Sequence, residues 1–194
     1  MMKLKKEPLW KKAKKKILGG NLLLSKRPEM FLPDYWPTYF KKAKGIDVWG
    51  LKNKKYIDMI FAVGQSTLGY AYKDIDLAVK KAVQNGNMCT LNSSEEVRLA
   101  ENLLELHPWA GMTKFARSGG EANAIAIRIA RAASKKDHVA ICGYHGWHDW
   151  YLSINLKSKN NLKDHLLPGL EPLGVPKALR NTVHTFKNNN IIDL

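Results

Sequence analysis

Phe115-Ala116-Arg117-Ser118-Gly119-Gly120-Glu121-Ala122-Asn123 is the stretch on which the fold turns. A short strand candidate, Met112 to Ala116, runs into a small turn, and the turn opens directly into a helix. That helix is expected over 119–133, because Ala122, Ile125-Ala126, Ile129-Ala130 and Ala133 recur at helical spacing. Backbone N–H groups at a helix start lack intrahelical partners and carry the positive end of the dipole. Glycine lets an anion approach that backbone closely, and Ser118 adds a hydroxyl. The turn therefore suits a phosphate monoester. The same residues also read as an ordinary serine N-cap followed by glycines in a tight turn. No Gly-Lys-Ser/Thr follows, so this is not a Walker A loop, nor is it a full dinucleotide fingerprint.

Towards the C-terminus, Asp137 to Cys142 is a second short strand, followed by Gly143-Tyr144-His145-Gly146-Trp147-His148-Asp149-Trp150. Two loops that each follow a strand of one α/β sheet open on the same edge, where such folds bind ligands. An aromatic there can stack on a flat ring, and His145 can hydrogen-bond or exchange protons beside it. One rival is a metal held by Cys142, His145, His148 and Asp149, although structural zinc usually draws on paired cysteines and only Cys89 remains elsewhere. The other is plain packing of Tyr144, Trp147 and Trp150 under a loop. Beyond residue 155 the pattern weakens: Leu166 to Pro172 is loop-like, and 181–194 shows no period.

Towards the N-terminus, Ser93 with Glu96 makes a capping box for a helix whose apolar face is Val97, Ala100, Leu103-Leu104 and Leu106, ended by Pro108. Asp74 is placed to cap a helix over 75–86 that Gly86 ends. Residues 61–72, with Gly64 and Gly69, read as a loop, and 46–60 as a hairpin around Lys52-Asn53-Lys54. Pro28, Pro33 and Pro37 make 21–45 an irregular arm. Residues 3–18 read as a leading helix stopped by Gly19-Gly20, with Leu9, Ala13 and Ile17 as a narrow stripe. Strand, helix, strand in the middle third points to a layered α/β fold.

The chain has 194 residues, 45% of them hydrophobic, enough for a real core. No run of about 18 apolar residues suggests a membrane span. Two cysteines are too few for a disulfide framework, so a reducing cytoplasm is the expected setting. The net charge of +15 raises the prospect of an anionic partner. Eight lysines crowd into the first sixteen residues, however, which reads as a solvated leading helix.

These motifs together resemble the class III aminotransferases, and within them glutamate-1-semialdehyde aminomutase and its relatives. The family's Ser-Gly-Thr-Glu-Ala turn is matched by Ser118-Gly119-Gly120-Glu121-Ala122, and its Ala-Ile-Arg-Leu-Ala-Arg helix by Ala126-Ile127-Arg128-Ile129-Ala130-Arg131. Its Cys-Tyr-His-Gly element is matched by Gly143-Tyr144-His145-Gly146, one place after Cys142. The hairpin ending Tyr56-Ile57-Asp58 and the Leu68-Gly69-Tyr70 loop also fit, with Tyr70 where the family often has histidine.

The resemblance implies a fold type I pyridoxal-phosphate transferase. Its three-layer α/β/α large domain would be present in part and preceded by an N-terminal arm. Residues 1–60 would hold the helix, arm and hairpin, and 61–194 the first part of the cofactor domain. It implies pyridoxal 5′-phosphate as cofactor, with Ser118, Gly119 and Gly120 at its phosphate, Tyr144 stacked on the ring and His145 beside it. No resident metal is implied. Gly120 replaces the family's threonine, which removes one side-chain donor.

The family's Schiff-base lysine and its ring-nitrogen aspartate come later than Leu194, so no catalytic residue is expected within this chain, and alone it is expected to be inactive. The chain would then be part of a longer protein, one half of a split one, or an inactive product. The expected activity is that of an aminotransferase or aminomutase, acting on a small amino acid or carbonyl compound, as a homodimer when complete, without a membrane or a specific nucleic acid. The alternative is a non-catalytic basic interaction module that keeps the fold.

Overall fold

The computed structural model describes residues 8–33, 35–157 and 171–193. Residues 3–7 of the expected leading helix and 166–170 of the expected late loop lie outside them. The chain forms two compact units, Met1–Asn92 and Ser93–Leu194. Position 60, the expected boundary, falls inside the first.

In the first unit, α1 is described over Pro8–Lys14 and ends four residues short of the expected residue 18. Ile17 N–H still donates to the Ala13 carbonyl at 2.7 Å, and a 3-10 turn follows at Leu18–Gly20. Two effects end the helix early. Lysines at Lys11/Lys15 and Lys12/Lys16 would repel across successive turns. The chain must also fold back over Trp10, only 3% exposed, whose indole leaves no room for a side chain at Gly20 and donates to Glu29 Oε1 at 3.1 Å. In the arm, Phe31 stacks on Trp36 with centroids 4.2 Å apart.

The expected hairpin is present as β2 (Asp47–Gly50) and β3 (Lys55–Ile57), antiparallel, with Asn53 at φ 61° in the turn. The sequence did not announce the strand beside it. Phe40–Lys44, within the proline-bearing arm, forms β1 and pairs antiparallel with β2. Its lysines look non-strand-like, but Lys42 lays its ammonium 4.3 Å over the Trp49 ring directly opposite.

The 61–72 loop is tied back to this sheet. Tyr70 and Gly45 exchange N–H···O bonds of 2.8 and 2.9 Å, and Tyr70 Oη–H donates to Asp58 at 2.5 Å. Asp58 also accepts from Ile60 N–H at 2.7 Å and Phe61 N–H at 3.2 Å. Helix α2 then runs Lys73–Gln84, starting one residue before Asp74. Tyr72 is the N-cap and makes no side-chain cap bond, so Asp74 sits inside the first turn, where its charge favours the dipole instead.

In the second unit, α3 spans Ser94–Leu106. Ser93 caps it as expected, but through Glu95, whose N–H it accepts at 3.3 Å, rather than Glu96. Its apolar face is largely open: Val97 is 60% and Leu106 74% exposed. Helix α4 spans Gly119–Ser134, and β4 spans Val139–Ile141. Met112 to Ala116 is extended but joins no ladder among the described residues, so it is not a strand.

Two elements that the sequence left blank complete the unit. A short helix α5, Asp149–Leu152, continues into a 3-10 turn at Ser153–Leu156, and β5, Val183–Thr185, pairs parallel with β4. Around them sits the core: Ile141, Trp150, Tyr151, Leu152, Ile154, Val175 and Val183, with Ala124 and Ile127 of α4 packed against it. Among the described residues no helix is long and apolar enough to cross a membrane.

The Asp58–Tyr70 pair gives a pH test. Burial pushes the Asp58 carboxyl up, but the bonds from Tyr70, Ile60 and Phe61 outweigh it and hold it below the usual carboxylate value. The bond to Asp58, then burial, pushes the Tyr70 phenol up to about 12. The stabilisation is thus present above the unfolded Asp value and below the unfolded Tyr value. It is lost as pH falls through the lowered Asp58 value, or rises from about 10 to about 12. Tyr70→Phe should cost about 1 kcal/mol at pH 7, a charged hydrogen bond discounted for solvent exposure. In thermal unfolding at a series of pH values, the gap between parent and variant should close at both extremes.

Candidate functional site

The candidate site lies wholly in the second unit, where the start of α4 meets the loop after β4. Ser118, with φ −142° and ψ 157°, follows the 112–117 segment and caps α4, its Oγ accepting from Glu121 N–H at 3.3 Å. Glu121 in turn accepts from Arg117 N–H at 2.9 Å, so its carboxylate is held against the chain before the turn. The N–H groups of Gly119 and Gly120 are the first two of the helix and have no intrahelical acceptor. A Cβ built on Gly119 meets nothing within 4 Å, so the space over this turn is open.

The loop after β4 is seated on that first turn. A Cβ on Gly146 would lie 3.2 Å from Gly120 Cα, and Gly146 has φ +103°, a conformation that L side chains rarely adopt. Asn123, one turn into α4, donates from Nδ2 to the His145 carbonyl at 3.2 Å. His145 folds its ring back onto its own loop, with Nε2 2.7 Å from the Cys142 carbonyl. A carbonyl can only accept, so Nε2 carries the proton and Nδ1 is the nitrogen left for other work.

Tyr144 is 49% exposed and meets Tyr151 edge-on, with centroids 5.9 Å apart and planes at 85°. About half of its surface therefore remains open to solvent. Tyr151 is fully buried and donates to the Gly143 carbonyl at 3.1 Å. Burial first, and then the neighbouring Tyr144, push the Tyr151 phenol up to about 12, which keeps it a neutral donor. An open pocket of about 560 Å³ lies beside the turn, lined by Lys114, Phe115, Arg117, Glu121, Ile125 and His148 among others.

Of the five site residues expected from sequence, Ser118, Gly119 and Gly120 form the turn, and the loop that carries Tyr144 and His145 is seated against it through Gly146 and Asn123. The rival metal set does not converge. No group of three or more His, Cys, Asp or Glu among the described residues is placed to hold an ion. His145 points to the Cys142 carbonyl, and His148 lies against Gly120 instead. Of the residues that assemble the site, Asn123, Gly146 and Tyr151 were given no role of their own, and His148 only that of a candidate metal ligand. One signal was present in the sequence, the glycine at position 120 where the resembled family has threonine, because a lost side chain leaves space that something else must fill.

The family model described as "Aminotransferase class-III" matches residues 33–191. The 3-aminobutyryl-CoA aminotransferase of Cloacimonas acidaminovorans is 35% identical over 93% of this chain and 40% of its own length. The glutamate-1-semialdehyde 2,1-aminomutase of Methanobrevibacter smithii is 34% identical over 80% of this chain and 36% of its own. Among solved structures, an omega-transaminase from Sphaerobacter thermophilus superposes with a TM-score of 0.76 at 26% identity, covering 95% of this chain and 42% of that one. The chain therefore spans about 40% of the length of the relatives it matches.

The seat of the loop on α4 can be tested by itself. Gly146→Ala adds a Cβ where φ is +103° and the Gly120 backbone is 3.2 Å away. It should destabilise the second unit by about 1–3 kcal/mol, as expected for a non-glycine residue in a rarely populated backbone region. Chemical denaturation followed by tryptophan fluorescence, to which Trp147 and Trp150 contribute, measures the loss.

Proposed function

Because the chain belongs to the class III aminotransferases, we propose that its second unit forms the phosphate- and ring-binding face of a pyridoxal 5′-phosphate site. The whole protein would move an amino group between an amino compound and a carbonyl compound. The observation that carries this is the open, serine-capped glycine turn at the start of α4 with an exposed tyrosine on the loop seated beside it. The fit is chemical. A phosphate dianion needs donors and close backbone approach, and Gly119 and Gly120 offer both, with the positive end of a sixteen-residue helix behind them.

When bound, the cofactor supplies the electron sink that amino-group transfer requires. This chain's own residues bind and orient it. Gly119 and Gly120 N–H groups donate to the phosphate, and the Ser118 hydroxyl, while accepting from Glu121 N–H, still has its own proton to donate there. The exposed face of Tyr144 receives the pyridine ring. His145, with Nε2 held by the Cys142 carbonyl, would have Nδ1 left for a partner beside that ring.

By the family resemblance, the Schiff-base lysine and the aspartate for the ring nitrogen would belong to the share of the relatives' length that this chain does not span. The relatives include both aminotransferases and aminomutases, and the amino-transfer step common to them is the one proposed for this protein. The substrate would be a small amino acid or carbonyl compound. The protein would work as a homodimer, to which the open apolar face of α3 offers a surface, and in the cytoplasm, which suits the free thiols of Cys89 and Cys142.

Pyridoxal-phosphate dissociation followed by absorbance tests the proposal. Ser118→Ala should weaken binding by about 1.5–3 kcal/mol, and the lost cap should cost about 1 kcal/mol of stability besides. Tyr144→Ala should remove about 0.5–1.5 kcal/mol of ring stacking beyond buried area. Gly119→Val should cost most, since a branched side chain would fill the space now open over the turn. If Gly119→Val bound the cofactor as well as the parent, the turn would be a helix cap and nothing more.

A further inference from the structure

We infer that His148 supplies the phosphate-side contact that position 120 lacks, so that Gly120 and His148 act as one coupled device. The inference rests on the proposal that residues 118–120 hold a phosphate monoester. Gly120 stands where the resembled family carries threonine, and a bare glycine there would leave the site one donor short and a cavity in its wall. The structure shows what fills the gap. A Cβ built on Gly120 would lie 2.7 Å from both Cδ2 and Nε2 of His148, so the edge of the imidazole occupies the volume of the missing side chain. A side chain at position 120 would require the His148 ring to move away from where it lies.

The edge that takes this place is the one bearing a nitrogen. Nε2 is brought next to the first turn of α4, whose N–H groups at Gly119 and Gly120 are the proposed phosphate donors. His148 is the N-cap residue of α5 yet makes no side-chain cap bond, so its ring is not engaged in holding that helix. It is half-buried, it leans on Trp147 at 5.7 Å, and it lines the pocket beside the turn together with Arg117 and Glu121. An imidazole carries a proton on at least one nitrogen and is an N–H donor to a phosphate oxygen in either charge state, given the matching tautomer. Its placement is imposed from both sides. Asp149 begins α5 immediately after it, and the loop before it is fixed by the approach of Gly146 to Gly120. His148 is thus delivered to the turn by backbone packing, as the threonine side chain of the relatives would be by its own Cα.

The test compares pyridoxal 5′-phosphate with pyridoxal, which lacks the phosphate, by fluorescence titration of the parent, His148→Ala, His148→Gln and the double variant Gly120→Thr/His148→Ala. The parent should favour the phosphorylated ligand. His148→Ala should weaken pyridoxal 5′-phosphate binding about tenfold or more while leaving pyridoxal unchanged. His148→Gln, which keeps an N–H donor, should retain more of that preference than Ala. The double variant should regain most of it, because it exchanges one donor for the other in the same volume. The phosphorus NMR shift of the bound ligand should move in His148→Ala and return in the double variant, which a purely space-filling ring would not cause. If His148→Ala unfolds, His148→Gln and the double variant decide.

Preservation of the parent's preference in His148→Ala, or a double variant no better than His148→Ala, overturns the inference while leaving the proposed function standing. A parent that binds pyridoxal as well as its phosphate overturns both.

Discussion

The second unit depends on one close approach, the backbone of Gly146 against Gly120. A side chain on either glycine is strained: a Cβ on Gly146 would come within 3.2 Å of Gly120 Cα at a φ of +103°, and one on Gly120 would displace the His148 ring. This contact seats the loop after β4 on the first turn of α4, and the Asn123–His145 bond then pins it one turn further along. The same loop leads into α5, whose Tyr151 reaches back to hold the Gly143 carbonyl. Tyr151 is in turn the most buried side chain of the core formed by Ile141, Leu152, Ile154 and Val183. A single residue therefore joins the apolar core to the loop that presents Tyr144. The geometry of the site is a consequence of packing, since interiors as dense as crystals transmit position with little slack.

How much of this is legible in the sequence depends on whether the signal is local. Helix α4 was expected over 119–133 and is found at Gly119–Ser134, because its cap, its glycines and its period all lie within its own span. The hairpin β2–β3 was equally plain, since its turn lies between its strands. By contrast, β5 has three residues and pairs in parallel with a strand far back in the chain, so no turn marks it. The run Trp150-Tyr151-Leu152-Ser153-Ile154-Asn155 hid for the opposite reason. It is buried on every side, polar residues included, so it shows no amphipathic period. The leading helix was expected to continue to residue 18 but α1 ends at Lys14, because its apolar stripe was read without the tertiary demand that Trp10 close on Gly20.

The site itself divides along the same line. Ser118, Gly119, Gly120, Tyr144 and His145 were nameable because each sits in a short motif whose chemistry follows from its residue types. His148 was nameable only as a member of a rival metal set. Its actual neighbour, Gly120, is distant in sequence, and their relation is a matter of shared volume rather than spacing. A glycine replacing a larger residue in a resembled motif is a statement about some other residue, and only the fold says which one.

Most of the chain's net charge lies in a different stretch of sequence from the turn proposed to hold an anion. Residues 1–92 hold nineteen Lys and Arg against seven Asp and Glu, a net +12, whereas residues 93–194 hold thirteen against ten, a net +3. Most of the lysines therefore belong to the unit that does not carry the turn. At the turn the nearest charges work against each other: Arg117 and Lys114 line the pocket, but so does Glu121, whose carboxylate is bound to the Arg117 backbone. What remains uncompensated is local and directional, two glycine N–H groups on a helix start and an imidazole beside them. Fixed dipoles of this kind recognise the shape and placement of a phosphate as well as its charge, and they lose less to screening than exposed ammonium groups do. The excess of lysine therefore sets the isoelectric point of the chain, while the site is carried by backbone geometry in the half of the sequence that is nearly neutral.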